Sequence, residues 1–232
     1  VIGSELWSDD PGFAEALGEQ GVTGICGSGI IEAIACMYLA GLILPDGAIN
    51  GKMVKRSARV QATDRTFSYL LHDGEPKIVI QQGDVRAIQL AKAALYAGAR
   101  LLMDRMGVEK VDRIRLAGAF GSHIDVKYAM VLGMIPDCKL ENVSSANNAA
   151  GTGALIALLN RASRLEIEQR ARDIEKVETA VDASFQQHFV DAMGIPHSTQ
   201  PNPELSRVLD LPRADASQKN TTGRRKRRTR KK

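Results

Sequence analysis

Cysteine is scarce in this sequence, and its spacing excludes several kinds of site. The 232 residues include three cysteines, Cys26, Cys36 and Cys138, and no two of them form a Cys-x-x-Cys pair. A disulfide framework needs more cysteines, and a zinc or iron–sulfur site needs closely spaced ligands. The three cysteines alone therefore cannot build such a site, and we expect them to be buried as small hydrophobic side chains.

Long hydrophobic runs are also missing. No apolar stretch approaches the roughly 18 residues that a membrane-spanning helix needs, and no basic segment followed by an apolar one opens the sequence. Hydrophobic residues nevertheless make up 44% of the chain and charged residues 25%, which is typical of a globular protein with a real core. The sequence therefore predicts a cytoplasmic protein of one or two domains, without a membrane contact.

Basic charge is concentrated at one end of the sequence. Residues 224–232 hold eight of the 31 lysines and arginines, and the remaining 23 basic side chains face 27 acidic ones. The rest of the chain is therefore net acidic and does not indicate a basic nucleic-acid-binding face. Proline, serine, threonine and charge dominate residues 196–232, which we expect to be a disordered tail. Its basic end either contacts nucleic acid or acidic surfaces weakly or only adds solubility.

The stretch 115–125 runs from an apolar strand through a glycine-spaced turn into a helix. Ile114 and Leu116 alternate with charged residues, so the entry is strand-like with one buried face. Gly118 and Gly121 let a ligand approach the main chain closely, because neither carries a Cβ atom. The pattern fits one wall of a nucleotide site, although such a turn is about as often a purely structural elbow.

Two further helices are predicted to open on glycine-rich segments. Gly27, Ser28 and Gly29 precede an apolar helix that runs to about Leu39, with Ser28 as its cap. Their main-chain amides could bind an anion, but a plain helix cap explains the same residues equally well. Residues 147–154 open another helix whose first turns are almost bare of side chains, which permits close packing on backbone or ligand.

The longest predicted helix begins at Asp84 and stops at Gly107, after a β-hairpin formed by residues 66–71 and 77–80. Apolar residues recur along it at spacings of three and four, which predicts that this face is buried. They are Ile88, Ala91, Leu95, Ala99, Leu102 and Met106. Downstream, we expect a surface helix, an edge strand near residues 175–181 and a last helix containing Phe185 and Phe189.

The order of these elements resembles the second lobe of the superfamily that holds acetate and sugar kinases, heat-shock chaperone ATPases and actin. The resemblance implies an α/β fold of the ribonuclease H type, with a mixed sheet flanked by helices. It also implies nucleotide contacts from the glycine turn, with Gln89 and Lys92 as candidate base and ribose contacts. The turn residues are Gly118, Ala119, Phe120, Gly121 and Ser122, and Ala119 departs from the paired glycines usual in the superfamily.

Within that superfamily, five segments resemble the C-terminal ATPase domain of the reductive activators of corrinoid proteins. They are GICGSGI at 24–30, QGDVRAIQLAKAA at 82–94, AGAFGSHID at 117–125, LGMIPD at 132–137 and NAAGTGA at 148–154. The resemblance implies that ATP with Mg²⁺ drives the reduction of cob(II)alamin to cob(I)alamin on a corrinoid-binding methyltransferase protein. The electron would come through an iron–sulfur domain elsewhere in the chain.

The sequence also departs from that family in ways that leave an alternative open. It contains no Asp-x-Gly-Thr phosphate loop and no iron–sulfur cysteines, so we interpret residues 1–195 as an adenosine-side lobe that lacks its N-terminal part. Such a lobe should expose apolar surface. His123 lies in the glycine turn, but no spaced partner makes it a metal ligand, and no metal site is predicted. The alternative is a non-catalytic protein-binding module that retains the fold, and a homodimer remains open.

Overall fold

A computed structural model describes residues 10–18 and 21–212. The basic run at 224–232, predicted to end a disordered tail, lies outside the described residues. The first helices are α1 (Phe13–Leu17), α2 (Gly27–Leu39), α3 (Gln82–Arg105), α4 (Ala119–His123) and α5 (Val126–Leu132). They are followed by α6 (Ala149–Leu159), α7 (Arg161–Asp173), α8 (Ala183–Asp191) and α9 (Pro203–Val208). The strands are β1 (Val60–Thr63), β2 (Thr66–His72), β3 (Ile78–Gln81), β4 (Ile114–Ala117) and β5 (Val143–Asn147).

The strands form two separate sheets in the described part of the chain. Strands β1, β2 and β3 make an antiparallel sheet in that order, and β4 pairs with β5 in parallel. The predicted hairpin is confirmed as β2 and β3. Strand β1 was missed, because its region reads as polar and turn-rich, yet Val60 is buried and opposite Tyr69 in the ladder. A strand of four residues with one buried side chain leaves almost no alternation to detect.

The core lies between α2 and the segment formed by α5 and the turn after it. Ile34 and Val131 are completely buried, and Met130 and Leu132 nearly so. Asp125 caps the start of α5, since its carboxylate accepts the amide of Lys127 at 2.7 Å. Each large side chain buried here contributes on the order of 2 kcal/mol through the water it excludes.

Cysteine, not serine, caps α2. The Cys26 sulfur accepts the amide of Gly29 at 3.3 Å, so the prediction of Ser28 as cap is wrong. Cys26 is also exposed, which contradicts its predicted burial, whereas Cys138 is buried and Cys36 is intermediate. The capping residue precedes the first residue of the helix. Its side chain is therefore exposed wherever the start of the helix lies at the protein surface.

The apolar spacing predicted that one face of α3 is buried. That prediction is wrong, because most residues of this face are exposed. Leu95, Leu102 and Met106 are 52%, 50% and 77% exposed. The neighbouring face is the buried one, and it contains two polar side chains among small apolar ones. Its members are Val85, Gln89, Lys92, Ala93, Ala97, Leu101 and Met103.

The edge strand predicted near residues 175–181 is absent from the described chain. Residues 174–178 form no strand, and a short 3₁₀ turn follows at Thr179–Val181. Helix α8 contains Phe185 and Phe189 as predicted.

The predicted disordered tail begins too early. Helix α9 lies within residues 196–232, its Leu205 is fully buried, and the Asp137 carboxylate accepts the Leu205 amide at 3.0 Å. The boundary at residue 195 is therefore wrong, because a short helix that buries one leucine is hidden in a polar composition. No helix within the described ranges combines the length and the apolar character that crossing a membrane requires.

Candidate nucleotide site

The two parallel strands end side by side. Ala117 pairs with Asn147 at the last position of the ladder, and the amide of Gly118 donates to the carbonyl of Asn147 at 2.8 Å. Each strand is followed at once by a turn and a helix. Ligands of open parallel sheets bind outside the carboxyl ends of the strands, so this edge is the place where the fold favours a site.

Both turns require a left-handed backbone. Gly118 has a φ of 96° and Asn147 a φ of 49°. Asparagine tolerates this region better than most residues, and glycine adopts it freely. A Cβ atom added at Gly118 would meet no atom within 4 Å. The backbone conformation therefore demands glycine there, and the space beside it is open.

Hydroxyl and amide groups connect the two turns. The Ser122 hydroxyl donates to the carbonyl of Gly118 at 2.9 Å and lies 3.5 Å from the hydroxyl of Ser145. Ser145 in turn accepts the amide of Asn147 at 3.0 Å. These exposed polar groups converge on the strand ends, which gives the edge several donors and acceptors for a polar ligand.

Helix α6 presents an open N-terminus at the same edge. Asn148 caps it by accepting the amide of Gly151 at 2.9 Å, and Ala149 and Ala150 are exposed. The remaining first-turn amides and the positive end of the helix dipole favour an anion here. The small side chains of the first turn leave this end of the helix uncovered.

The opening of α2 reaches the glycine turn through Phe120. A Cβ atom added at Gly27 would lie 3.3 Å from the Phe120 ring, so α2 and α4 are in contact at this point. The Ser28 hydroxyl lies 3.3 Å from the Cys26 sulfur. Hydrogen bonds from Ser28 and from the amide of Gly29 lower the pKa of the Cys26 thiol below its ordinary value. The segment of Gly27, Ser28 and Gly29 thus lies beside the residues 118–122 that include Ala119 and Phe120.

Gly121 has a packing reason to be glycine. A Cβ atom there would lie 3.0 Å from the Cβ of Leu116 and 3.2 Å from its carbonyl carbon. A side chain at this position would be crowded by β4, whether or not a ligand is near. A substitution at Gly121 would therefore test packing before it tested binding.

Gln89 and Lys92 do not join this cluster, so their prediction as base and ribose contacts is not supported by the geometry. Gln89 is 2% exposed, and its amide nitrogen donates to the carbonyls of Asp46 at 3.1 Å and Met193 at 2.8 Å. Lys92 is 1% exposed and donates to the carbonyls of Gly194 and Pro196. Burial lowers the pKa of Lys92 to about 7. Both side chains are occupied by main-chain acceptors and cannot reach a ligand without leaving them.

Three residues at this edge were not predicted from the sequence to contact a ligand: Ser145, Asn147 and Asn148. The glycine-rich helix opening after them was noticed, but the sequence alone does not show that it pairs with the turn after β4. The usable signal was the repetition of one pattern, a short strand followed by a turn and a glycine-bearing helix. Parallel strands with this pattern place both turns at one edge.

No group of three or more His, Cys, Asp and Glu side chains within residues 10–18 and 21–212 is arranged to hold a metal ion. The iron–sulfur cluster was expected outside this sequence, and the described residues do not test that expectation.

Three comparisons with known proteins agree with one another. A sequence model of the C-terminal domain of RACo, the ASKHA domain, matches residues 8–206. The chain is 35% identical over 186 residues to the corrinoid activation enzyme RamQ of Eubacterium limosum, covering 75% of this chain and 31% of that protein.

Among solved structures, the reductive activator for corrinoid, iron–sulfur protein is 32% identical, with a TM-score of 0.66. That match covers 75% of this chain and 29% of that protein. The chain thus spans about three tenths of the length of these relatives. The predicted α/β fold class of the actin and sugar kinase superfamily is confirmed. The chain belongs to the family of the C-terminal domain of RACo, the ASKHA domain.

Proposed function

We propose that this chain is the nucleotide-binding lobe of a reductive activator that acts on a corrinoid protein. The names of both relatives, each at least 32% identical, refer to corrinoid activation or to a reductive activator. The proposal extends their activity to this chain. The partner would be a corrinoid-binding methyltransferase protein, and ATP with Mg²⁺ would be the ligand of this lobe.

The observation that carries the proposal is the pairing of two open turns at the end of the parallel strands. Gly118 and Asn147 are hydrogen-bonded to each other, both have left-handed backbones, and α6 starts beside them with its first turn uncovered. A nucleotide needs both close backbone approach and donors for its phosphates or ribose. This edge offers both within one small region.

ATP would contribute through a change of conformation. Cob(II)alamin accepts an electron only at very low potential, so a donor of ordinary potential needs a coupled, favourable process. A nucleotide that binds the closed arrangement of two lobes better than the open one shifts the equilibrium by that difference in affinity and no more. This lobe would supply one side of the clamp, and the electron would come from an iron–sulfur domain elsewhere in the complete protein.

A charge placed at the start of α6 tests the site without disturbing the fold. Ala150 is exposed in the first turn of the helix, and a glutamate there is compatible with the helix dipole. Ala150→Glu should repel the nucleotide phosphates and weaken ATP binding at least about tenfold, or about 1.4 kcal/mol. Ala150→Gln, of nearly equal size, should bind ATP almost as wild type does. Isothermal titration of the complete protein measures both, and equal affinities of the two variants would move the site elsewhere.

The activity is tested by anaerobic absorbance of the corrinoid partner, with an electron donor present. The cob(I)alamin signal should rise faster with ATP than without it, and Ala150→Glu should reduce the ATP-dependent part. Equal rates with and without ATP would contradict activation by this protein. ATP binding without activation would leave the protein-binding module as the better description.

A further inference from the structure

A cavity lies on the other sheet, between the β1–β2 hairpin and the start of α3. Its volume is about 710 Å³, which is within the range of roughly 300–1,000 Å³ typical of small-molecule sites. It is lined mainly by polar side chains and by the first turn of α3. The lining residues that matter are Arg65, Arg86, Thr63, Thr66, Ser68 and Gly83.

Two arginines give this cavity its charge. Arg65 and Arg86 are both exposed, and neither guanidinium makes a hydrogen bond or an ion pair with the residues that the structure describes. Among the described residues that line the cavity, Asp46 is the only one with a carboxylate, and one of its oxygens accepts the amide of Ala48 at 3.0 Å. The described lining therefore holds two arginines and one carboxylate, and the Asp84 carboxylate at the start of α3 accepts the amide of Gln81 at 2.8 Å.

Hydroxyl groups and a helix start complete the donor set. The Thr63 and Ser68 hydroxyls lie 3.1 Å apart, and one donates to the other. The Thr66 hydroxyl, at the turn between their strands, donates to the carbonyl of Thr63 at 3.2 Å. Helix α3 is 24 residues long, and its positive end faces the cavity at Gly83. A Cβ atom added at Gly83 would meet no atom within 4 Å, so the first-turn backbone is accessible from the cavity.

The floor of the cavity is held in place by two glutamines. Gln82 accepts the amide of Ile49 at 2.8 Å and donates to the carbonyl of Gly47 at 2.8 Å. Gln89 is fixed beneath it by the carbonyls of Asp46 and Met193. The loop that forms one wall is thereby tied to α3 at several points. A ligand would meet a preformed wall, which lowers the ordering cost of binding.

We propose that this cavity binds a small anion that carries phosphate groups. Guanidinium groups recognise phosphate oxygens through paired hydrogen bonds, and hydroxyls and helix amides donate to the same kind of oxygen. The cavity lies against the β1–β2–β3 sheet, whereas the proposed nucleotide site lies at the ends of β4 and β5. The inference thus assigns a second ligand site to this chain and does not depend on the proposed function.

Pyrophosphate is the probe that tests the inference, titrated calorimetrically into the complete protein at low salt. Arg65→Gln and Arg86→Gln should each weaken binding about tenfold, because each removes a charge-assisted pair of hydrogen bonds. Arg172→Gln on the exposed face of α7 removes the same charge elsewhere and should leave the affinity within about twofold. Arg86→Lys keeps the charge and should bind better than Arg86→Gln.

Ala150→Glu separates this cavity from the nucleotide site, because pyrophosphate binding that persists in this variant does not come from the start of α6. The inference is overturned if wild-type protein binds no pyrophosphate at millimolar concentration. It is equally overturned if the Arg65→Gln, Arg86→Gln double variant binds as wild type does, or if Ala150→Glu alone abolishes binding. Matching thermal unfolding curves for the variants show that any loss is not a loss of fold.

Discussion

The two regions predicted to contact nucleotide have opposite surroundings. At the ends of β4 and β5, Gly118 and Asn147 hold an open backbone with polar groups facing outward. On α3, Gln89 and Lys92 are almost fully buried, and their side chains donate hydrogen bonds to main-chain carbonyls. The first region can accept a ligand as it stands, whereas the second holds the chain's own residues 193–196 in place.

The difference shows what a polar side chain on an apolar helix signifies. A spacing of three residues places Gln89 and Lys92 on one face, and that face could meet either a ligand or an irregular segment of the same chain. Residues 193–196 lack regular secondary structure there, so their carbonyls need donors. The two side chains supply those donors, and the polar face is therefore structural.

The largest effect on stability is expected from substitution of Gly133, which lies against residues 193–196, the segment that Gln89 and Lys92 bind. Its φ is 70°, and an added Cβ would collide with the Pro196 carbonyl, the same group that accepts Lys92. Gly133→Ala should lower the free energy of unfolding by about 3 kcal/mol, from backbone strain and overpacking together. Urea unfolding measures it.

The matched control for Gly133 is Gly107. It has a φ of 66°, but an added Cβ there meets no atom within 4 Å. Gly107→Ala should therefore cost only about 1 kcal/mol, the strain alone. Equal losses at the two positions would show that the contact with Pro196 does not constrain the fold.

A smaller effect is expected from Gln89→Leu. The leucine leaves the carbonyls of Asp46 and Met193 buried without a donor, which should cost about 2 kcal/mol of stability. ATP affinity of the folded variant should be unchanged, because the side chain does not face the β4–β5 edge. Gln186→Leu, at an exposed position of α8, should change stability by less than about 0.5 kcal/mol. A tenfold loss of ATP affinity in Gln89→Leu would restore the predicted nucleotide contact.

Over a single pH unit, the smallest effect is a pH dependence of stability carried by Lys92. Burial lowers its pKa to about 7 in the folded protein, while the unfolded chain keeps the ordinary value near 10.5. Between these values the unfolded state binds the proton and the folded state does not, so stability should rise with pH and be flat below about 7. The slope is at most about 1.4 kcal/mol for each pH unit.

The Lys92→Met variant isolates the contribution of Lys92 to the pH dependence of stability. Both proteins retain Cys26, so its titration cancels in the comparison, and His197, whose burial lowers its pKa to about 4, titrates below the window. The stability of wild type relative to Lys92→Met should increase from pH 7 to pH 10. A constant difference across this range would mean that Lys92 is not buried in the neutral form.

Local sequence patterns predicted the positions of helices and strands much better than they predicted which face of a helix is buried. Helix α3 runs over Gln82–Arg105, close to the predicted limits, because a long amphipathic run with an acidic start and a glycine stop is a strong signal. The choice of face failed because large apolar side chains such as Leu95 and Leu102 were weighted above alanines. In the described structure the alanine side lies inward, where α8 and residues 193–196 pack closely on the helix.

The turns that form the candidate site were partly predictable for the same reason. The glycine turn at Gly118 was found, since a positive φ between strand and helix restricts the residue type. Ser145 and Asn147 were not, because their relevance depends on β4 and β5 being neighbours. That pairing joins residues about 30 positions apart, which no local pattern encodes.

The sequence by itself determined the family, the α/β class and most helix and strand positions, because these follow from composition, periodicity and ordered motifs. Only the tertiary structure decided which polar residues face outward. Gln89 and Lys92 became internal donors, while Arg65 and Arg86 gathered with three hydroxyls around a cavity. The physical reason is that a polar group is satisfied by whichever partner the fold brings within reach, and that partner is set by contacts distant in sequence.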